Sequence, residues 1–265
     1  IKVTMPKWGV SMGDYFFDKD RMIIAKGISS IKYMGSKIAE ELHDVANRKK
    51  CNCFTDVLYA IGETNVNTRQ LDILIKIDFF SEFGNQRELL RITDLYYNLF
   101  KSGSAKKIAR DVVVGTPVEN IISKYAIGIK KDGSEAKSYT LLDIQSAMRE
   151  IEEQILSLGL EDLSDIDKVK NFEEAMGYAG YASGKEEDRR KLYITDKYEL
   201  CRKKDGKQFG YSVITKSIGS GVESRFTVFN GVYAKNPIKK GDIIYCEDWK
   251  RDGQYFTMLK YRKIS

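Results

Sequence analysis

The acidic, thiol and imidazole groups are spaced in ways that argue against catalysis and against a metal site. Asp18 and Asp20 stand one residue apart, a spacing at which two carboxylates can hold Mg2+ for phosphoryl transfer. Lys19 lies between them, and the three residues join two runs of strand formers, Tyr15-Phe16-Phe17 and Met22-Ile23-Ile24, so they read as a turn. Asp165 and Asp167 fall at the expected start of a helix, where acids complement the positive end of the backbone dipole. Of the four cysteines, Cys51 and Cys53 are close while Cys201 and Cys246 stand alone, and His43 is the only histidine. A zinc site needs two close pairs, or a pair with histidines. The thiols therefore read as reduced cysteines of a cytoplasmic protein. Ser-His-Asp or Cys-His chemistry would have to run through His43 alone, and no G-x-x-x-x-G-K phosphate loop occurs.

Another kind of chemistry is available between Gly27 and Ala39. Gly27-Ile28-Ser29-Ser30-Ile31-Lys32-Tyr33-Met34-Gly35-Ser36-Lys37-Ile38-Ala39 resembles a helix-hairpin-helix. In that motif a tight turn aims backbone N–H groups at a DNA phosphate, and the following helix adds its positive N-terminal end. Such a grip ignores base sequence, because phosphates carry none. The residues expected to make it are Lys32, Tyr33, Met34, Gly35, Ser36 and Lys37, with the two lysines adding salt-sensitive contacts. The same pattern also fits an ordinary helical hairpin with Ile and Met in its core.

The basic excess lies elsewhere. Residues 185–265 carry 19 Lys and Arg against 11 Asp and Glu, a net of +8, whereas residues 1–184 carry 25 against 27, a net of −2. A basic region is the electrostatic footprint of a phosphate-binding surface, or simply a solubilising one. Within it, aromatic and basic residues interleave: Phe209, Tyr211, Lys216, Arg225, Phe226, Trp249, Lys250, Arg251, Tyr255 and Phe256. Aromatic faces stack unpaired bases while cations track the backbone. Side chains on a strand alternate faces, so about half of these aromatics belong to a core. Tyr211, Lys216, Arg225, Phe226, Trp249, Lys250, Arg251 and Tyr255 are the candidate contacts of this region.

These residues need elements to position them. The chain has 265 residues, 42% hydrophobic and 31% charged, the composition of a folded chain, and no run approaches the ~18 apolar residues of a membrane span. Its first residue is Ile1 and no secretion leader is visible, which suggests a piece of a longer protein. Residues 1–26 read as a lead-in with a short strand pair. Residues 27–100 read as a helix-hairpin-helix region, with Ile31, Met34, Ile38 and Leu42 at helical spacing about Gly35, then a helical stretch from Thr68 to Phe100 broken near Gly84. Residues 101–184 read as a helical connection: a helix start at Thr116-Pro117 with Glu119, a turn at Lys131-Asp132-Gly133, a helix opening at Thr140 with Asp143 that carries Leu141, Ile144, Met148, Ile151 and Ile155, a helix from Asp165 to Gly177, and a linker from Gly180 to Lys185. Residues 185–265 hold short strands separated by Asp205-Gly206, Gly219-Ser220-Gly221, Gly241-Asp242 and Asp252-Gly253, the pattern of a five-stranded OB-like barrel. The fold class is thus α+β multidomain, helical first and a small barrel last.

The order of these pieces resembles the C-terminal portion of the bacterial DNA polymerase III alpha subunit, the C-family replicative polymerase. Lys26-Gly27-Ile28-Ser29-Ser30-Ile31-Lys32-Tyr33-Met34-Gly35 is similar to the family's "GL-x-A-I-K-G-V-G" segment. Val66-Asn67-Thr68-Arg69, continuing through Leu74-Ile75-Lys76-Ile77-Asp78-Phe79-Phe80 to Gly84 and Arg87, is similar to its "VN…LI-x-x-GAFD…G-x-x-R" segment. Phe172-Glu173-Glu174-Ala175-Met176-Gly177-Tyr178 is similar to its "E-x-E-x-LG" helix, and the strand-rich tail sits where the family carries its OB domain. Tyr33 and Asp78 stand where the family has turn glycines, which suggests a divergent member, such as one from a phage or mobile element, with weakened phosphate contact there.

The resemblance implies a division of labour. The family's catalytic aspartates and Mg2+ sit in an upstream palm domain that has no counterpart here, so no cofactor is expected in this part. The part present would grip duplex DNA through its hairpins and meet single-stranded template or protein partners through the barrel. Two other readings stand beside it: a module that docks a sliding clamp, a clamp loader or another replisome subunit, and a stand-alone accessory DNA-binding protein.

Overall fold

A computed structural model of the chain describes residues 2–19 and 22–264. Asp20, half of the first acidic pair, lies outside the described residues. The chain divides into two compact units, Ile1–Leu163 and Ser164–Ser265. No described helix is long and apolar enough to cross a membrane.

In the first unit β1 (Lys2–Thr4), β2 (Phe16–Asp18) and β3 (Ile23–Ala25) form a sheet in the order β1-β3-β2. The expected pair is β2–β3, antiparallel with Phe16 opposite Ala25, while β1 joins β3 in parallel. The helices follow: α1 (Ser36–Arg48), α2 (Phe54–Ile61), α3 (Thr68–Lys76) and α4 (Gln86–Asp94), which runs on into a π-helical turn over Leu95–Leu99. Their apolar faces meet around Phe54, Phe79, Phe80 and Phe100, all at most 2% exposed. Trp8 of the lead-in is buried against Phe79 and Phe80 and donates its backbone N–H to Phe79 O at 2.9 Å. That contact ties the lead-in to the turn after α3.

Residues 101–163 differ from the helical reading. A three-stranded antiparallel sheet, β4 (Lys107–Ala109), β6 (Glu135–Leu141) and β5 (Ala126–Ile129) in the order β4-β6-β5, lies among α5 (Arg110–Val113), α6 (Glu119–Lys124) and α7 (Ile144–Ser157). The Lys131-Asp132-Gly133 turn is the hairpin that joins β5 to β6, with Gly133 at φ +83°. Such Asp-Gly turns suit the twist of paired strands. Thr140 and Leu141 consequently belong to β6, and α7 is capped by Asp143, whose carboxylate accepts the Ser146 N–H at 3.0 Å. Thr116 does not cap α6 either, because its hydroxyl donates to Val113 O at 2.6 Å and the helix begins after Val118.

In the second unit α8 (Asp165–Met176) precedes a closed barrel of β7 (Lys191–Cys201), β8 (Gln208–Ser217), β9 (Glu223–Phe229), β10 (Ile243–Asp252) and β11 (Tyr255–Lys263), with a one-turn α9 (Asn230–Tyr233) between β9 and β10. The strand order is β10-β11-β9-β8-β7, closed by β7 on β10; β9 and β11 run parallel and every other pair antiparallel. This is the expected five-stranded OB-like barrel. Ile194, Val213, Val228, Ile244 and Met258 fill its centre, all at 0% exposure. The strand segments read separately at Tyr193-Ile194 and Tyr198 to Leu200 are one strand, with a register shift between Ile194 and Asp196.

Residues 180–185 are not a free linker. Ser183 N donates to Ile218 O at 2.8 Å and Gly184 N to Gly219 O at 2.9 Å, so the stretch is bound to the barrel. A Cβ on Gly219 would come within 2.5 Å of Lys185 O, which is why glycine is required there. Val169 of α8 packs with Tyr193, Ile218 and Ile243 of the barrel, and the Tyr193 hydroxyl donates to Glu173.

Candidate nucleic-acid interface

The hairpin is built on backbone bonds to the lead-in. Ile28 N donates to Met12 O at 3.0 Å and Ser29 N to Gly13 O at 2.9 Å. The Ser30 hydroxyl donates to Gly27 O at 2.7 Å and the Ser29 hydroxyl to Asp14 Oδ1 at 2.9 Å. Serines that bond locally in this way compete with helix formation. The element before the turn is accordingly a single 3-10 turn over Ile28–Ser30, where sequence spacing suggested a short helix. Gly27 lies so close to Asp14 that a Cβ would meet its carbonyl carbon at 2.3 Å.

The turn from Ile31 to Gly35 has two buried anchors and an exposed tip. Ile31 and Met34 are each 2% exposed, and Met34 N donates to Ile31 O at 3.1 Å. Met34, expected among the DNA contacts, offers neither side chain nor N–H, because its apolar side chain is needed in the core. Lys32, Tyr33, Gly35, Ser36 and Lys37 are exposed. Tyr33 adopts φ +67°, the left-handed conformation natural to glycine. Its carbonyl accepts Gln70 Nε2 at 2.7 Å, and the Arg69 guanidinium lies 4.3 Å from the centre of its ring. The first turn of α3 thus braces the tip. Arg69 and Gln70 were missed as part of the site, since nothing in the local spacing joins them to residue 33.

The helix that follows is electrostatically open. No side chain caps the N-terminus of α1, its first turn holds no acid, and Lys37 stands in that turn. The starts of the next three helices are closed. Glu152 accepts Phe54 N, Thr55 N and the Thr55 hydroxyl, each at 2.6 Å, at the start of α2. Capping boxes close α3, with Asn67 and Gln70, and α4, with Asn85 and Glu88. An open, positively polarised terminus behind an exposed turn with two lysines can receive an anion.

In the barrel the candidate residues separate. Phe226 is 6% exposed and faces inward, between outward-facing Arg225 and Thr227. Trp249 is 43% exposed and its ring lies 5.5 Å from that of Phe256, which Phe226 also meets at 5.7 Å. The Arg251 guanidinium covers the same Phe256 ring at 5.5 Å, and its Nε donates to Gly253 O at 2.9 Å. Phe226, Trp249 and Arg251 therefore converge on Phe256. Lys250 and Tyr255 are exposed on the same β10–β11 hairpin. Tyr211 is elsewhere, half-buried against Tyr233 with ring centres 4.0 Å apart, and Lys197 Nζ lies over both rings at 4.7 and 4.8 Å. Lys216 Nζ lies 5.8 Å from the Tyr178 ring.

OB folds bind strands on the face of their second and third strands and in the loops after the first and fourth. Those loops here are 202–207 and 253–254. Arg202, Lys203, Lys204 and Lys207 are all exposed in the first, with Asp205 the one acid. Sequence reading took Asp205-Gly206 only as a turn; the run of four cations around it was the available signal.

The second acidic pair is bonded within its own unit. The Asp165 carboxylate accepts the Tyr181 hydroxyl at 2.9 Å, and Asp167 and Ser164 bond each other at the start of α8. Burial pushes the Cys53 and Cys246 thiols up to about 11, so neither is a thiolate nucleophile at neutral pH. Among the described residues no group of three or more His, Cys, Asp or Glu could hold a metal ion.

Residues 1–90 match the family described as helix-hairpin-helix motif. No curated protein matches the chain in sequence. The N-terminal third therefore carries a helix-hairpin-helix, and the hairpin at Lys32 to Lys37 lies within it.

Proposed function

We propose that this chain is the non-catalytic DNA-binding region of a C-family DNA polymerase III alpha subunit. The observation that carries the reading is the helix-hairpin-helix match over residues 1–90, in which the open start of α1 lies behind the exposed Lys32–Lys37 turn. The hairpin grips duplex phosphates without regard to sequence. The OB-like barrel, with its net charge of +8 from residue 185 onward, meets single-stranded template. Two features beyond the motif support the polymerase assignment: the OB-like barrel follows the hairpin region in the family's order, and the two positions that carry turn glycines in the family both take left-handed backbone here, Tyr33 at φ +67° and Asp78 at φ +62°. Nucleotide addition, with its Mg2+, belongs on this reading to a separate palm domain.

The test is binding of labelled duplex and single-stranded DNA by fluorescence anisotropy across a salt series. The expected result is affinity for both that falls linearly with log salt and does not depend on sequence. Extension of a primed template by the isolated chain with Mg2+ and nucleotides would remove the non-catalytic assignment. Charge reversal at Lys216, Arg225 and Lys250 separates strand binding from docking of a clamp or clamp-loader subunit. Loss of single-strand affinity with partner binding intact supports the nucleic-acid role of the barrel, and the opposite result supports docking. A polymerase sequence upstream in the encoding reading frame excludes a stand-alone accessory protein.

A further inference from the structure

Beside the packed centre of the barrel lies an open cavity of about 460 Å3, lined by Phe226, Phe256 and Trp249 and by Arg189 and Arg190. We propose that this cavity takes one unstacked base of single-stranded DNA, with a flanking phosphate on the two arginines. The inference rests on the reading that the barrel meets single strands.

The size is that of a small-molecule site, since such pockets run to about 300–1,000 Å3. The wall has the chemistry of a base site. Phe226 and Trp249 meet Phe256 at 52° and 58°, so neither covers it by parallel stacking. Trp249, at 43% exposure, still offers a face to a flat guest. The Ser217 hydroxyl is committed, donating to Arg189 O at 2.9 Å and accepting Ser220 N at 3.2 Å, which holds the arginine backbone against the barrel. The Ser224 hydroxyl, also on the wall, has no protein partner among the described residues and is available to a base edge. Arg189 Nε is paired with Glu186 at 2.9 Å and Arg190 uses one Nη to donate to Glu247 O at 3.3 Å, leaving the other N–H groups of both for a phosphate.

The geometry distinguishes this site from a strand lying over the outside of the barrel. Phe226 points inward while Arg225 and Thr227 point outward, so an outer strand passes over Phe226 without touching it. A base reaches the cavity only by leaving its stack. That step costs least in a single strand, where no pairing is lost.

Trp249 supplies the readout. It is one of two tryptophans, and the other, Trp8, is buried in the first unit. The whole chain is titrated with a twelve-nucleotide oligo-dT and with the same backbone carrying only abasic sites, while tryptophan emission and anisotropy are followed. Oligo-dT should quench emission, the abasic strand should not, and Trp249→Phe should abolish the quench. Ser224→Phe, which fills the cavity, should weaken oligo-dT binding roughly tenfold and leave abasic binding unchanged. Equal affinity for both strands with no base-dependent quench in the wild-type chain overturns the proposal while leaving the barrel a strand binder. Binding of neither strand overturns the barrel reading, and the base site with it.

Discussion

Tyr33 and Asp78, both non-glycine residues in the left-handed region, occupy turns that lead into helices of opposite electrostatic character. Tyr33, at φ +67°, leads into α1, whose first N–H groups have no side-chain cap and lie beside Lys37. Asp78, at φ +62°, opens the connection to α4, whose start is closed. Asn85 accepts Glu88 N at 3.0 Å, Glu88 accepts Asn85 N at 3.0 Å, and Asp162 accepts Gln86 N at 3.1 Å. The same backbone device therefore serves two ends. One turn presents positive potential to the outside. The other satisfies its helix internally with two carboxylates, and an anion has no place there. A glycine-like turn makes a tight approach possible, and capping decides whether a phosphate can use it.

The strongest test is electrostatic. Lys32→Glu with Lys37→Glu should cost on the order of 10–100-fold in duplex affinity at low salt and lower the salt slope by about one per lysine. Arg87→Glu, in the closed first turn of α4, should leave duplex affinity unchanged. Both are read by anisotropy across a salt series. Equal losses at the two places would mean that the closed terminus also meets DNA, and the contrast would be gone.

The next test exchanges the two states. Gly35 precedes α1 in extended conformation, and a Cβ there would meet nothing within 4 Å, so Gly35→Asp should fit and cap the helix. Capping and the added charge at the positive end should raise stability by about 0.5 kcal/mol. The same carboxylate should repel phosphate and weaken duplex binding about tenfold. Asn85→Ala should do the reverse at α4, costing about 1 kcal/mol of stability with no change in DNA affinity. Urea unfolding followed by circular dichroism, paired with anisotropy, gives both readouts. Parallel movement of stability and affinity in Gly35→Asp would break the assignment of α1 as an anion-receiving end.

How much of this was legible in the sequence depended on whether a signal was local. The spacing of Ile31, Met34, Ile38 and Leu42 marked the hairpin, and the Gly and Asp punctuation of residues 205–253 marked the barrel, because each pattern is written within a few turns of chain. α2 was not legible: six of its eight residues are buried, so it has no polar face to set a period. β4, β5 and β6 are short and partly exposed, which blurs alternation. The capping of α2 by Glu152 and the bracing of Tyr33 by Arg69 and Gln70 join residues far apart in sequence. So the turn could be read from its own residues, while the difference between its open helix and the closed ones could not.

The finest test concerns Tyr33 and Asp78 themselves. Left-handed backbone costs a non-glycine residue about 1–2 kcal/mol, and glycine gives back part of that through its freer unfolded chain, roughly 0.5–1 kcal/mol. Asp tolerates the conformation better than most, so Asp78→Gly should stabilise by about 0.5 kcal/mol and leave DNA binding alone. At Tyr33 two opposing effects meet. Strain is relieved, but the ring under Arg69 is lost, an exposed cation–π contact worth about 0.5–1 kcal/mol. Stability of Tyr33→Gly should therefore change little, while duplex affinity should rise a few-fold as backbone and phosphate come closer. A shift in the urea midpoint at constant slope measures the first quantity and anisotropy the second. Weaker duplex binding by Tyr33→Gly would show that the aromatic ring is itself a DNA contact, and that this turn holds its strain in order to present a side chain rather than a bare backbone.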